Sequence, residues 1–213
     1  MTWRSTSDAG QATPLYITAV VGLLFLALVF FAFGQADVTR NSAQSAADAA
    51  ALAAARESRD QFETGFLENI LVPGYLESVF DGVVLGENGC SAAQYFAARN
   101  RAELIGSGCQ WAGGGRWGFT VHVQSQQSMG KSIIEGTENS KAEATATAVV
   151  EPRCTFNRND QDDKPDDGGD EEEEKPVSPG EFVCEGETWA IDPENLDLLP
   201  EVSDLFTVRL AED

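Results

Sequence analysis

The chain has 213 residues, a formal net charge of -21 and a sequence pI of about 4.2. Its length suits one membrane segment and one modest domain. A chain this acidic repels nucleic acid and anionic lipid, so nucleic-acid binding is set aside. The acidic residues concentrate after Asn159, which leaves the first half of the chain close to neutral.

An apolar segment runs from Leu15 to Phe33 without a charge and with Thr18 as its polar residue. As a helix it would be about 28 Å long, enough to cross a bilayer core of about 30 Å. A cleaved secretory signal is the alternative, because Gly34-Gln35-Ala36 is an acceptable cleavage site, but the apolar core of a signal is usually about 7–15 residues long. We therefore predict an uncleaved transmembrane helix over residues 15–34, preceded by a cytoplasmic segment, residues 1–14.

Residues 35–60 continue the span as an alanine-rich helix. Small side chains recur at steps of three and four and form a stripe on one helix face: Ala36, Thr39, Ala43, Ala46, Ala50 and Ala53, widened by Ala47 and Ala54. Nothing from Gln35 to Arg59 breaks a helix, so one helix is predicted from about Leu15 to about Arg59. Because small residues let another helix backbone approach closely, the stripe favours packing against other subunits. A helix that packs on its own domain is the alternative.

The cysteines indicate two disulfides and the side of the membrane on which they form. Cys90, Cys109, Cys154 and Cys184 form no C-x-x-C pair, and His122 is the one histidine, so a zinc site lacks ligands at the usual spacing. Of the three pairings that four cysteines allow, we favour Cys90–Cys109 and Cys154–Cys184, the nearest in sequence. Disulfides need an oxidising compartment, which places the C-terminal domain outside and the N-terminus in the cytoplasm.

Residues 61–154 are predicted to form a domain that begins with helical segments. The stretch from Phe62 to Leu85 is interpreted as a short helix, a turn at Pro73-Gly74 and a second short apolar segment. A further helix is predicted from Ser91 to Leu104, with Ser91 as N-cap and with Gly106 and Gly108 ending it. Its expected shared face is formed by Ala92, Tyr95, Phe96, Arg99 and Ala102.

Three segments with alternating apolar residues predict an antiparallel sheet. The first contains Trp117, Phe119, Val121 and Val123, with His122 on its polar face. The second is "AEATATAVV", and the third is "DLFTVRLA" within the C-terminal segment, residues 184–213. The predicted fold class is therefore α+β, a long N-terminal helix followed by helices on a three-stranded antiparallel sheet.

Two segments are predicted to be loops. Residues 155–183 are strongly acidic and almost free of apolar side chains, so we predict a disordered loop closed by the Cys154–Cys184 bridge. The spacing of its acids does not fit an EF-hand, because Pro165 or Lys164 would occupy a ligand position. The other loop contains Met129, Ile133 and Ile134, which would either fold back on the sheet or form a patch for a partner.

The N-terminal stretch "DAGQATPLYI…LLFLALVFFAFGQADVTRNSAQSAADAAALAAA" resembles TadE/TadG-like proteins, minor pilins or pseudopilins of the tight-adherence (Tad/Flp) pilus. The later stretches "AAQYFAARNRAEL", "WGFTVHV" and "AEATATAVV" are similar too, so the resemblance covers about residues 8–154. It implies a prepilin-type cleavage site between Gly10 and Gln11, at which Tyr16 fits. Leu15 stands where the family motif has glutamate, so an uncleaved anchor fits better than a major pilin.

The resemblance implies a single-pass membrane protein that acts as a structural component of a Tad-type pilus or a related secretion or adhesion assembly. Its expected partners are the membrane, other pilus subunits and assembly-platform proteins, with an external surface ligand as a further candidate. An independent membrane-anchored binding domain is the alternative. The residues show no nucleophile–base pair, metal set or glycine–lysine phosphate loop, so neither an enzyme nor a cofactor is expected.

Overall fold

The computed structural model describes residues 12–83, 86–128, 139–159 and 177–212. The helices are α1 (Ala12–Asn69), α2 (Tyr75–Phe80), α3 (Cys90–Arg99) and α4 (Val202–Leu205), with a 3₁₀ turn at Leu196–Leu198. The strands are β1 (Ala102–Trp111), β2 (Gly118–Ser128), β3 (Lys141–Pro152), β4 (Cys154–Arg158), β5 (Gly180–Cys184), β6 (Glu187–Ala190) and β7 (Phe206–Leu210). The predicted α+β class with an N-terminal apolar helix and an antiparallel sheet is confirmed.

The main sheet has four strands in the order β1-β2-β3-β7, all antiparallel, and not the predicted three. The three predicted strands are β2, β3 and β7, and the additional strand is β1. A second, three-stranded sheet has the order β4-β5-β6. Helix α1 lies across β2 and β3 of the main sheet, and α3 packs beside α1 and over β1.

Helix α1 is longer than the sequence predicted. It has 58 residues and so a length of about 87 Å. It passes through Gly34 without interruption and continues ten residues beyond Arg59, to Asn69. The extension forms because Phe62 and Phe66 lie one turn apart on the same face and both are buried, and the buried Ile70 directly follows the end of the helix.

Helix α3 ends earlier than predicted, and its buried face is different. It starts after Gly89 rather than at a Ser91 cap, and it ends at Arg99, since Arg101 takes a left-handed φ of 57° that turns the chain into β1. Its buried residues are Ala93 and Ala97, whereas Tyr95 and Phe96 of the predicted face are exposed. Aromatic side chains do not fit where α3 approaches α1, so alanines take those positions.

The glycines predicted to end this helix instead form an irregularity in β1. The register of β1 against β2 jumps between Leu104 and Cys109, which pair with Val123 and Val121. Gly106 and Gly108 lie within the jump and have φ values of 61° and 64°. Left-handed backbone is accessible to glycine at no steric cost, so these residues let the edge strand bulge and then rejoin the ladder.

Strands β4 and β5 occupy the two ends of the predicted acidic loop. They pair from Cys154 opposite Cys184 to Arg158 opposite Gly180, so these ends are not disordered as predicted. Phe182 of β5 is fully buried, so this pair of strands contributes to the core. The middle of the acidic run, residues 160–176, lies outside the described residues, as does the loop containing Met129, Ile133 and Ile134.

The core has two parts of different composition along α1. The part nearer the apolar segment consists mainly of alanines from three elements, all buried: Ala43, Ala46, Ala47, Ala50, Ala51, Ala54 and Ala55 of α1, Ala93 and Ala97 of α3, and Ala146 and Ala148 of β3. The far part is an aromatic cluster in which ring centroids lie 5.0–6.5 Å apart, formed by Phe62, Phe66, Trp117, Phe206, Phe80 and Phe182. This cluster joins the end of α1 to both sheets.

One buried hydrogen bond fixes the boundary between the two parts. Trp117 Nε1 donates to Ser58 Oγ at 2.9 Å, and Ser58 is fully buried. Removing the hydroxyl would leave a buried indole N–H without its partner, which costs about 1–3 kcal/mol. The bond therefore ties the residue before β2 to α1.

We predict that Gly89→Ala lowers the free energy of unfolding by about 1–3 kcal/mol, because the added methyl group would overlap the carbonyl oxygen of Ala54. Gly65→Ala is the matched control, since it adds the same methyl group to α1 where nothing lies within 4 Å. Alanine in a helix interior is expected to stabilise the control slightly. Thermal unfolding of the full chain in detergent measures both, and equal midpoints would contradict the close approach.

Candidate functional site

The first part of α1 is an unburied apolar surface. Residues 14–31 form a stretch of 18 residues long and apolar enough to cross a membrane, and none of this stretch is buried inside the protein. Its large side chains are exposed all round the helix: Leu15, Tyr16, Leu24, Phe25, Leu28 and Phe30 are among them. A helix that is apolar on every side needs an apolar surrounding, so this segment is a candidate single membrane span.

The side-chain hydroxyl of the polar residue in this segment is hydrogen-bonded within the helix. Thr18 Oγ1 lies 3.0 Å from the carbonyl oxygens of Pro14 and Leu15. A threonine hydroxyl bonded to its own helix backbone exposes no unpaired donor to lipid. Thr18 is therefore compatible with a membrane-spanning position.

The alanine stripe packs against other elements of the same chain. Ala43, Ala46, Ala50 and Ala53 have at most 8% of their surface exposed and face the sheet and α3. These positions are therefore not free to contact another subunit in this fold, and the alternative of a helix packed on its own domain holds for them. Ala36 lies within α1, below the domain.

Two disulfides cross-link the domain, as favoured from the sequence. Cys90 at the start of α3 is bonded to Cys109 in β1, with Cα atoms 5.7 Å apart, and Cys154 of β4 to Cys184 of β5, with Cα atoms 4.3 Å apart. In the sequence, Cys90 and Cys109 flank the helix predicted from Ser91 to Leu104. Their bridge joins α3 to an edge strand instead, because the chain after Arg99 is β1.

A cleft of about 470 Å³ lies beside the second disulfide, between the β5–β6 hairpin and the segment before α4. Its lining includes Cys184, Trp189, Leu198, Pro200 and Arg153. The Arg153 guanidinium donates to Glu185 at 2.9 Å, and this hydrogen bond and charge raise the pKa of Arg153. Sequence reasoning missed this cleft, since its residues come from three segments that carry no shared motif.

The histidine lies in a strand of the main sheet, near a carboxylate of the neighbouring strand. His122 lies on the polar face of the main sheet, with Nε2 3.8 Å from a carboxylate oxygen of Glu143. Its cross-strand neighbour is Thr145. Within residues 12–83, 86–128, 139–159 and 177–212, no group of three or more metal-ligating side chains is found. Gly10 and Gln11, the predicted processing site, precede the first described residue.

Together these features define a class: a protein with one apolar helix long enough to span a membrane, continuous with a disulfide-bonded α+β domain. Residues 10–57 match the family described as "Putative Flp pilus-assembly TadE/G-like". The predicted resemblance to TadE/TadG-like proteins is thereby confirmed over the apolar segment and the alanine-rich helix, and it supports a Tad pilus-associated protein. No curated protein and no solved structure gives a significant match.

We predict that Cys154→Ser/Cys184→Ser and Cys90→Ser/Cys109→Ser each destabilise the domain, by about 3–4 kcal/mol in the chain-entropy estimate. The bridges close separations of 30 and 19 residues, so the first variant is expected to lose slightly more. Denaturant unfolding of the full chain, compared with wild type before and after reduction, measures both. Wild type that unfolds at the same denaturant concentration in both redox states would contradict the prediction.

Proposed function

We propose that this chain is a membrane-anchored minor pilin or pseudopilin, a structural component of a Tad-type pilus or related secretion apparatus. The observation that carries the proposal is the continuity of α1. One helix presents a fully exposed apolar surface over residues 14–31 and then enters the domain core, without a break between the two. The family match covers this junction, from residue 10 to 57.

In this proposal the N-terminus stays in the cytoplasm and the domain lies outside, where Cys90–Cys109 and Cys154–Cys184 form. The segment boundaries follow: a cytoplasmic segment to residue 14, a span to 34, and a rigid helix to 60 that carries the domain. The chain acts through helix packing and surface contacts with other pilus subunits and assembly-platform proteins. Cleavage after Gly10 would remove ten residues and leave the span intact.

The cleft beside Trp189 favours a second candidate function, an anchored extracellular binding domain. Its volume of about 470 Å³ falls within the range of small-ligand sites, about 300–1,000 Å³. Trp189 is 39% exposed and lines the cleft together with Arg153, and exposed indoles are common at contact surfaces. The two candidates differ in what co-purifies from membranes: pilus subunits in the first, and no pilus component in the second.

We predict that Val38→Pro separates anchoring from assembly. Val38 is 69% exposed and lies between the apolar segment and Ala43, the first buried alanine. Proline removes a helical hydrogen bond and kinks the helix, which redirects the domain without touching its core. The variant is expected to resist alkaline extraction from membranes and keep both disulfides, but to lose at least about fivefold in co-purification with other Tad subunits, about 1 kcal/mol.

Val38→Ala is the control, since it keeps the helix and removes the same side chain. It is expected to co-purify like wild type. If wild type is recovered as a monomer from cells with an intact pilus machine, the assembly proposal is wrong. If Val38→Pro co-purifies as well as Val38→Ala, continuity of α1 is not what assembly requires.

A further inference from the structure

The cleft beside the second disulfide is bounded on one side by a face of the small sheet. Trp189 of β6 lies opposite Phe182 of β5, and Glu187 lies opposite Cys184. Residues two apart on a strand share a face, and so do residues directly opposite each other, so these four side chains lie on one face. Phe182 is buried in the core, whereas Trp189 and Glu187 are exposed and line the cleft.

The other side of the cleft is apolar. Leu198, Leu199 and Pro200 line it, from the end of the 3₁₀ turn towards α4. Leu198 has 69% of its surface exposed. The chain on this side is tied to the start of the small sheet, because the N–H of Arg153 bonds to the carbonyl oxygen of Leu205 at 2.8 Å. A guest in the cleft therefore meets an indole on one side and aliphatic groups on the other.

The charged side chains of the lining are mostly acidic. Arg153 lines the cleft together with the carboxylates of Glu185, Glu187 and Asp204. Its guanidinium is paired with Glu185 at 2.9 Å. Of the salt bridges among the described residues, none involves Glu187 or Asp204. Because a single guanidinium lies among three carboxylates, the lining is negative overall.

These carboxylates are spread around the cleft. Glu185 lies in the β5–β6 turn, Glu187 in β6 and Asp204 in α4. In the part of the chain that the structure describes, no three metal-ligating side chains lie close enough together to hold a metal ion. Separate carboxylates beside an indole and aliphatic side chains suit an organic cation with an apolar stem better than a compact ion.

We propose that the cleft binds an arginine side chain that a segment of a partner protein presents. The guanidinium stacks on the Trp189 indole and pairs with the carboxylates of Glu187 and Asp204. The methylene stem packs against Leu198. Arginine fits this surface better than lysine, because its planar group stacks on aromatic rings and is more weakly hydrated. A volume of about 470 Å³ is in the range of sites for drug-sized ligands, so it admits the side chain with part of its backbone.

This inference rests on the cleft that favours the second candidate function, and it gives that cleft a ligand class. It depends neither on the membrane span nor on assembly into a pilus. The net charge of -21 attracts any basic partner over long range and supplies no specificity by itself. The test must therefore separate the cleft from the overall charge.

The test uses the full chain in micelles of dodecyl maltoside, a neutral detergent, with ¹⁵N-labelled tryptophan. The probe is acetyl-Gly-Arg-Gly-amide, and its control is the same peptide with citrulline, which keeps the shape of the side chain without its charge. The indole N–H signal of Trp189, assigned from the Trp189→Phe variant, is expected to shift saturably with the arginine peptide. The citrulline peptide is expected to bind at least about fivefold more weakly.

Trp111 serves as the internal control for non-specific contact. It is 38% exposed, nearly as much as Trp189, but it does not line the cleft, so its signal is expected to stay in place. A Trp189 signal that the arginine peptide does not move would overturn the proposal, and so would a Trp111 signal that moves alike. Equal binding of the citrulline peptide would show an apolar site and overturn it too.

The variant Glu187→Gln/Asp204→Asn is expected to bind the arginine peptide at least about fivefold more weakly than wild type. Its matched control is Glu68→Gln/Glu87→Gln, which removes the same charge from exposed positions outside the cleft and is expected to change the affinity less than about twofold. An unchanged signal of the buried Trp117 indole shows that a variant keeps its fold.

Equal losses in the two variants would show a net-charge effect and overturn the proposal. Free arginine that binds as tightly as the peptide would assign the cleft to the amino acid, and so overturn the assignment to a partner segment. Any of these failures leaves the co-purification of the chain with pilus subunits unchanged, so the proposed structural role in a pilus stands or falls separately.

Discussion

The fold depends on how closely the rest of the chain can approach the upper half of α1. Over residues 43–55, the buried side chains of α1 are all alanine methyl groups. The elements that pack against this part of α1 also contribute buried alanines: Ala93, Ala97, Ala146 and Ala148. At Gly89 the chain has no side chain at all, and its backbone passes directly against the carbonyl group of Ala54. Because side chains here are short, backbones come close, and each position tolerates little added volume.

A core made of alanine gains little from the hydrophobic effect, since each methyl group buries little apolar area. The structure compensates at the far end of α1, where Phe62, Phe66 and Phe206 bury large rings against both sheets. The two disulfides add stability by restricting the unfolded chain. One of them anchors α3, whose buried face is alanine, and the other clamps β4 to β5 beside Phe182. One disulfide thus lies next to the alanine-lined helix, where packing contributes least to stability. The other lies in the smaller of the two sheets.

Local patterns in the sequence predicted much of this fold. Apolar length identified the span-like segment, alternation identified β2, β3 and β7, and proximity in sequence identified both disulfides. The end of α3 was missed because "RAEL" has high helix propensity, yet Ala102 is needed opposite Ser125 in the sheet. Strands β4 to β6 were missed because they flank an acidic run and are held by long-range pairing.

The alanine stripe shows why spacing alone does not tell an internal contact from one between subunits. Either use needs small residues at steps of three and four, and here the domain occupies the stripe from Ala43 onwards. The part of α1 before Ala43 includes the candidate membrane span. There, lipid offers no hydrophobic driving force between helices, and association depends on close packing at small residues. Thr18 and Gly22 form such a small-x-x-x-small pair, and nothing within the chain lies within 4 Å of where a Cβ at Gly22 would be. Gly22 thus lies on the exposed apolar part of α1, whereas the alanine stripe from Ala43 onwards is buried against the domain.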